Sequence, residues 1–215
     1  MTTDSAGIAS STRQSRASRR ADRIGPLADV NAQSLRWLIK VSSHPKHVES
    51  EFLGEISGRL CALSTAERSY AARFPFLLVD MRLTDLDWWQ HVAARTATLS
   101  NRSPWLTQLP PRLTTKLART TLVLAWHTAR VDQQAALLLL GLSRPVAEVI
   151  ARLHLPDVDR ISERHYQQLR PRWDSQPSVW KHLLDASRTG DQTASAAFVL
   201  RGLQLVAGDL VPYRD

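Results

Sequence analysis

The stretch LLLLGLSRPVAEVIARLHLPDVDRISE, Leu137 to Glu163, decides how the fold of this chain is interpreted. Its leucine run stops at Gly141, and glycine is the residue that most often ends a helix in the left-handed conformation. Ser143 is a suitable N-cap for a second helix, and Pro145 is tolerated in its first turn. A third helix is predicted to begin at Pro156. The three predicted helices form either a DNA-reading helix-turn-helix or a compact corner of a helical core.

Helical signals continue upstream of this corner. The segment Leu113 to Leu140 is predicted to be one long helix whose last four leucines are buried on every side. Ser64 followed by Glu67 fits a capping box that opens a helix near Thr65. The run Phe74 to Asp80 is consistent with either a short strand or a buried irregular segment. The whole pattern predicts an all-α fold.

Residues 99–111, LSNRSPWLTQLPP, contain three prolines among serine and asparagine, a composition that interrupts regular structure. We therefore predict a helical module of unknown role over residues 25–104 and a second helical domain over residues 110–215. Residues 1–24 have little to bury and are predicted to be a disordered basic arm. The arm is interpreted either as a phosphate-binding segment or as a solubilising tail, and its arginines are Arg13, Arg16, Arg19, Arg20 and Arg23.

The formal net charge is +8, and the sequence pI is about 10.5. A basic chain favours acidic partners, with nucleic acid first among them. No apolar run is long enough to span a membrane, and the N-terminus lacks the apolar core of a secretory signal, so we expect a cytoplasmic location without membrane insertion. Cys61 is the single cysteine, which excludes a disulfide within one chain.

Sequence signatures of catalysis are missing. The chain contains no phosphate-binding loop, dinucleotide fingerprint, HExxH zinc motif or serine nucleophile elbow. One cysteine is too few for a thiolate zinc site. The histidines are scattered over different predicted helices. We therefore predict that the protein is not an enzyme, and that it has no cofactor, no bound metal and no small-molecule substrate.

Trp88 and Trp89 are the most conspicuous aromatic pair. Adjacent residues of a helix point to different sides, so one indole is expected in the core and the other over a groove or a partner. Packing of both in the core and a partner-binding surface at both are the two alternatives left open by the sequence.

A series of residues between 122 and 187 follows a recognisable pattern without gaps. Its matching residues are Leu122, Leu124, Ala125, Asp132, Ala136, Leu140, Gly141, Ala147, Ala151, Leu153, Leu155, Pro156, Arg160, Ile161, Glu163, Arg172, Trp173, Asp174 and Trp180. On these residues the segment, about a third of the chain, resembles the FlhD family of bacterial transcriptional regulators, best known as half of the flagellar master regulator. Pro171 departs from the family pattern, which has an aromatic residue at this position.

The resemblance implies an all-α fold, a homodimer and gene activation on DNA. It also implies an FlhC-like partner protein, which carries zinc and makes much of the DNA contact. Residues 110–215 would then be an FlhD-like helical domain that contains a helix-turn-helix-like corner.

In a helix-turn-helix the second helix enters the major groove. If Arg144 to Leu153 is that helix, Arg144 would pair with a guanine edge or a phosphate. Pro145 and Glu148 make its outer face poor in base-reading groups, so a corner that binds a partner or a second copy is the alternative. The candidate DNA- or partner-binding residues are the charges on this helix and the arginines that follow it: Arg144, Glu148, Arg152, Arg164, Arg170 and Arg172.

A second class of function fits the same composition. A non-enzymatic helical adaptor of a bacterial secretion or conjugation apparatus would also be helical, cysteine-poor and of this size. The pair Trp88 and Trp89 and the segment Trp105–Leu106 would then anchor a partner. Salt-sensitive DNA binding would distinguish the regulator from the adaptor.

Overall fold

The structure, a computed structural model, describes residues 25–43, 50–95 and 111–209. This part of the chain is all-α, which confirms the predicted fold class. Its helices are α1 (residues 25–42), α2 (Glu51–Ala62), α3 (Thr65–Ala71), α4 (Leu86–Ala93), α5 (Pro111–Val131), α6 (Gln133–Leu140), α7 (Arg144–Arg152), α8 (Leu155–His165), α9 (Pro177–Thr189) and α10 (Gln192–Asp209). None of these helices is long and apolar enough to cross a membrane.

Several helix ends follow the local sequence. At α3, Glu67 N–H donates to Ser64 Oγ over 3.3 Å, and Ser64 N–H donates to Glu67 Oε2 over 2.6 Å, which confirms the predicted capping box. The Ser64 backbone N–H, followed by the Ser64 hydroxyl, holds the pKa of Glu67 below its usual value. At α4, the Asp85 carboxylate caps the helix by accepting from Trp88 N–H at 3.0 Å.

A two-stranded antiparallel sheet joins the two halves of the described chain. Strand β1 (Val79–Asp80) pairs with β2 (Arg170–Pro171), and Val79 lies opposite Pro171. Residues 74–78 before β1 are buried or nearly so but irregular. Both alternatives for the run 74–80 therefore hold in part, since an irregular buried segment ends in a two-residue strand.

The irregular segment depends on Asn31, a side chain with 0% exposure in α1. Its amide Nδ2 lies within hydrogen-bond distance of three backbone carbonyl oxygens, those of Ala72 (3.2 Å), Phe74 (3.4 Å) and Phe76 (2.9 Å). Its Oδ1 accepts from Leu78 N–H at 3.0 Å. A buried backbone without a strand partner needs such substitutes for its hydrogen bonds. Asn31 therefore takes the place of a neighbouring strand.

Buried side chains from residues 27–92 and 117–206 form one continuous hydrophobic core. Phe76 is fully buried in this core, and its ring contacts Trp173 at 5.4 Å and Phe198 at 5.6 Å between ring centroids. A Cβ atom at Gly202 of α10 would lie only 2.3 Å from Phe76 Cε1, so α10 can approach this ring because it has a glycine there. The division near residues 99–111 stays a prediction, since residues 96–110 lie outside the described chain, as does the arm at residues 1–24.

The predicted helix from Leu113 to Leu140 is wrong in one respect, because Asp132 interrupts it. Asp132 has φ −151° and ψ 89°, and its carboxylate accepts from Ala135 N–H at 3.0 Å as the N-cap of α6. The leucine run is also not buried on every side, since Leu138 is 53% exposed while Leu140 is buried. The apolar periodicity continues across the break, and this hid the cap in the sequence.

Candidate nucleic-acid and partner interface

The corner that begins at the end of α6 follows the sequence closely. Gly141 has φ 68° and ψ 35°, and its N–H donates to Leu137 O at 3.0 Å, so the predicted helix stop is confirmed. Ser143 occupies the N-cap position of α7, as expected, although its hydroxyl makes no capping hydrogen bond. Ser143 N–H donates instead to Leu83 O at 3.1 Å. The turn between α6 and α7 is therefore fixed to a segment some 60 residues earlier in the chain.

Arg172 lies beneath this turn and is only 4% exposed. Its Nη2 donates to Leu140 O at 2.9 Å and approaches Gly141 O at 3.4 Å. These carbonyls end α6, and a cation is favourable at the negative end of a helix dipole. The expectation that Arg172 touches DNA or a partner is corrected, because burial leaves its guanidinium to stabilise the corner from inside.

The missing side chain of Gly141 also leaves room for Arg172, in addition to allowing the positive φ. A Cβ atom at this position would lie 2.2 Å from Arg172 Nη2 and 2.7 Å from Arg172 Cζ. The guanidinium therefore occupies the space that any side chain at position 141 would need.

Arg170 is half exposed, but its charge already has a partner. Its Nε and Nη2 both lie 2.9 Å from Asp80 Oδ2, across the β1–β2 pair. Asp80 also accepts from Leu83 N–H at 3.1 Å. Arg170 thus joins the two strands, and a role in DNA or partner contact would require this ion pair to open.

The outer face of α7 carries the charges that the sequence predicted there. Val146, Ala147 and Ile150 are buried, whereas the predicted outward residues are exposed: Arg144, Glu148 and Arg152. These three residues follow one another at one-turn spacing along the helix. The exposed stripe of α7 therefore alternates positive, negative and positive.

The adjoining start of α8 carries an ion-pair network around Asp157. Its carboxylate accepts from the backbone N–H of His154, from Arg160 Nη2 at 3.3 Å and from Arg95 Nη2 at 3.4 Å. Burial would raise the pKa of Asp157, but the His154 N–H and the two arginines together hold it below its usual value. Leu155 beside this network is 42% exposed.

Arg164, near the end of α8, is exposed as predicted. His165 follows it, half buried, with its ring 5.6 Å from the Trp88 ring in an edge-on contact. Burial lowers the pKa of His165, and the positive charges of Arg160 and Arg164 lower it further.

Trp88 and Trp89 are both in the core, at 3% and 0% exposure. Their rings meet at right angles with centroids 5.0 Å apart, and Trp89 Nε1 donates to Arg82 O at 2.9 Å. The partner-binding expectation for these two side chains is corrected, because neither presents its ring to solvent. The adaptor interpretation loses these anchors, and its other anchor, Trp105–Leu106, lies outside the described residues.

Sequence reasoning missed the contact between Arg95 and Asp157, which joins the end of α4 to α8 across 62 residues. No local signal marks such a pair. Within the described ranges, no three histidine, cysteine, aspartate or glutamate side chains cluster in a way that would hold a metal ion.

Residues 114–206 match the family model described as flagellar transcriptional activator (FlhD). The match contains the whole segment on which the resemblance was based and extends it into the first half of α5 and most of α10. No curated protein and no solved structure matches the chain significantly. The family consists of transcriptional regulators and is not known for enzymatic activity, which supports a role in regulating transcription. Residues 114–206 of this chain are thus an FlhD-like region, and the resemblance found in the sequence is confirmed.

Proposed function

We propose that this protein regulates transcription in the cytoplasm, acting on DNA as a dimer together with an FlhC-like partner protein. The observation that carries the proposal is the match of residues 114–206 to the flagellar transcriptional activator family. Residues on which the resemblance rests, including Gly141 and Arg172, build the α6–α7 turn. The matched residues therefore serve the architecture of the corner, and its exposed residues are free to determine what it binds.

The exposed charges of the corner favour a protein partner over DNA as its direct contact. Glu148 stands between Arg144 and Arg152, and a carboxylate at the centre of the stripe would face phosphates of like charge. A partner helix with the opposite alternation of charges would complement the stripe and fix its register. Leu155 adds exposed apolar surface nearby, and Arg164 adds a further positive charge. We assign these four charged residues to partner contact.

The test is promoter occupancy in the source cell. An epitope-tagged full-length chain is followed by chromatin immunoprecipitation, and transcripts are compared between cells with and without the protein. We expect enrichment at discrete promoters whose transcripts change when the protein is removed. Enrichment spread evenly over the chromosome, or discrete sites without transcript changes, would refute regulation of transcription.

The role of the corner is tested with Arg144→Ala, Glu148→Ala and Arg152→Ala combined. The matched control is Arg73→Ala, Glu51→Ala and Arg188→Ala, which removes the same charges from exposed positions elsewhere. We expect the corner variant to lose promoter occupancy while its circular dichroism spectrum stays that of the parent. Equal occupancy in both variants would remove the corner from the proposal. If the 24.1 kDa chain sedimented as a monomer, the proposed dimer would be refuted.

A further inference from the structure

Helix α5 differs from the rest of the described chain in its charge. Its 21 residues contain four arginine or lysine residues and a histidine but no aspartate or glutamate. All five lie on exposed positions: Arg112, Lys116, Arg119, His127 and Arg130. Their spacing places them along one side of the helix, opposite the buried stripe that includes Leu117, Thr121 and Ala125. The outer side of α5 is therefore a basic ridge without acids of its own.

Helix α1 extends this basic surface sideways. Trp37 Nε1 donates to Thr114 Oγ1 at 3.2 Å, and Thr120 Oγ1 lies 3.4 Å from Gln33 Oε1, so the two helices run antiparallel. The exposed Arg36 lies next to Trp37 in sequence, and the exposed Lys40 follows one turn later. The C-terminal turns of α1 thus bring two cations beside the N-terminal turns of α5.

Four of these cations have no acidic partner in the part of the chain that the structure describes. They are called the basic face hereafter: Arg36, Lys40, Arg112 and Lys116. By contrast, Arg119 pairs with Asp159 at 2.7 Å, and Arg130 lies over the Trp126 ring at 4.9 Å. Asp29 is the one acid on the same exposed stripe of α1, and it lies near the other end of that helix. The basic face therefore keeps its positive charge available for an external anion.

We propose that the basic face contacts the phosphate backbone of duplex DNA without reading its sequence, an inference that rests on the proposed function in transcription. From Arg112 to Arg130 the ridge is about 27 Å long at 1.5 Å per residue. Each strand of duplex DNA presents a phosphate about every 3.4 Å of its axis, so a straight basic helix meets several in succession. The positive end of the α5 dipole, with no acid in its first turn, adds to the attraction.

The composition of the ridge favours DNA over a lipid surface or single-stranded RNA. A helix that lies in a membrane surface has large apolar or aromatic residues beside its charges. Between its cations the outward side of α5 shows the half-buried Val123 and Trp126, and the exposed Val131 lies at the end of the helix. Single-stranded nucleic acids are bound by exposed aromatic rings on which bases stack. Trp126 is unsuited to this role, because its Nε1 donates to Leu153 O at 2.8 Å and Arg130 covers its ring.

The test measures fluorescence anisotropy of a labelled 30-base-pair duplex of arbitrary sequence with the full-length chain, between 50 and 200 mM salt. The first variant combines Arg36→Gln, Arg112→Gln and Lys116→Gln. The matched control combines Arg73→Gln, Arg188→Gln and Arg201→Gln, three exposed cations on other helices or turns. Both variants lower the formal charge by three from +8. A third variant, R36K with R112K and K116R, preserves every charge.

Each lost phosphate contact lowers the slope of log K against log salt by roughly 0.9. We expect the first variant to lose about 2 to 3 units of slope, and the control and the charge-preserving variant to keep the parental slope. Equal slopes in the first variant and the control would overturn the proposal, including the case in which residues 1–24 carry all the binding. Loss of slope in the charge-preserving variant would also overturn the proposal, because it would show that the substitutions damage the fold and do not act through charge.

A second titration uses vesicles of phosphatidylcholine and phosphatidylserine. The parent chain could bind these vesicles but not the duplex, and the first variant could lose the vesicle binding. This result would overturn DNA as the ligand of the basic face. The two proposals fail separately. Loss of slope without promoter enrichment in cells would leave the phosphate contact and refute only the regulator, whereas promoter enrichment with an unchanged slope would refute only the basic face.

Discussion

Residues 25–95 and the FlhD-like region are held together in different ways. In the FlhD-like region, helices α5 to α8 follow one another through short turns, and caps such as Asp132 and Gly141 lie next to the helices that they end or begin. In residues 25–95, the decisive contacts join distant parts of the chain, as Asn31 does across 41 to 47 residues. Local signals therefore specify the turns between α5 and α8, whereas long-range hydrogen bonds of Asn31 hold the irregular segment in residues 25–95.

The two regions also meet along a backbone seam, residues 77–83. Leu77 N–H donates to Leu139 O at 2.9 Å, Arg172 N–H donates to Leu78 O at 2.9 Å, and Ser143 N–H donates to Leu83 O. Each of these bonds crosses from the part without a family match to the part with one. The boundary of the family match is therefore not a boundary between separately packed units.

The largest expected effect comes from separating the two regions. A fragment of residues 110–215 would leave Leu139 O and Ser143 N–H without their partners and would expose Trp173 and Phe198 where Phe76 now packs. We expect no cooperative thermal transition by circular dichroism. Removal of residues 1–24 alone is the control, since it touches none of the described contacts. A sharp transition in the fragment would show that the FlhD-like region folds without the seam.

Asn31→Ala should give the next largest effect. It leaves Leu78 N–H and up to three carbonyls buried without partners, and each costs about 1–3 kcal/mol. We expect the free energy of unfolding in urea to fall by about 3–5 kcal/mol. Ser34→Ala, one turn later in α1, removes a single bond to Val30 O and should cost about 1 kcal/mol. Similar losses for the two variants would contradict the role assigned to Asn31.

Gly141→Ala tests the local side of the comparison. An alanine at this position must adopt the positive φ of the glycine, which is strained for a residue with a Cβ, and its Cβ meets the Arg172 guanidinium. We therefore expect a loss of about 2–4 kcal/mol in the free energy of unfolding. Gly190 has φ 60° but nothing within 4 Å of its missing Cβ, so Gly190→Ala should cost only about 1–2 kcal/mol. If both variants lost the same amount, the contact with Arg172 would contribute nothing.

The smallest effect concerns His165, which contacts Trp88 across the two regions. Because its folded pKa lies below the ordinary value of 6.5, the unfolded chain binds the proton first as pH falls. The free energy of unfolding should therefore decrease from pH 6.5 down to the folded pKa. We expect His165→Gln to flatten this part of the profile, because it removes the group whose pKa burial lowers. A parental slope in His165→Gln would assign the pH dependence to other groups.

The sequence predicted most of what depends on neighbours along the chain. The all-α class, the capping box at Ser64, the stop at Gly141 and the outward charges of α7 all come from patterns within one or two turns. The break at Asp132 escaped detection because apolar spacing continued across it. Asn31 and the buried role of Arg172 had no local signal, since their partners lie 31 to 47 residues away.

The candidate site divides in the same way. Exposure of Arg144, Glu148, Arg152 and Arg164 follows from helical periodicity, which the sequence shows directly. The status of Arg170, by contrast, depends on Asp80, whose place beside it exists only once β1 and β2 pair. Residue type alone therefore did not separate an arginine that faces solvent from one that supports the fold.

The contact between Gly141 and Arg172 limits how this protein can change its sequence at these two positions. As long as the guanidinium fills the space beside position 141, a side chain there meets it at 2.2 Å. A shorter residue at position 172 would vacate that space first, and asparagine, which tolerates positive φ, would then fit at position 141. Losing the arginine first, however, leaves Leu140 O without its buried donor, and replacing the glycine first displaces the guanidinium. Both single changes are therefore costly, and the two positions constrain each other's replacement.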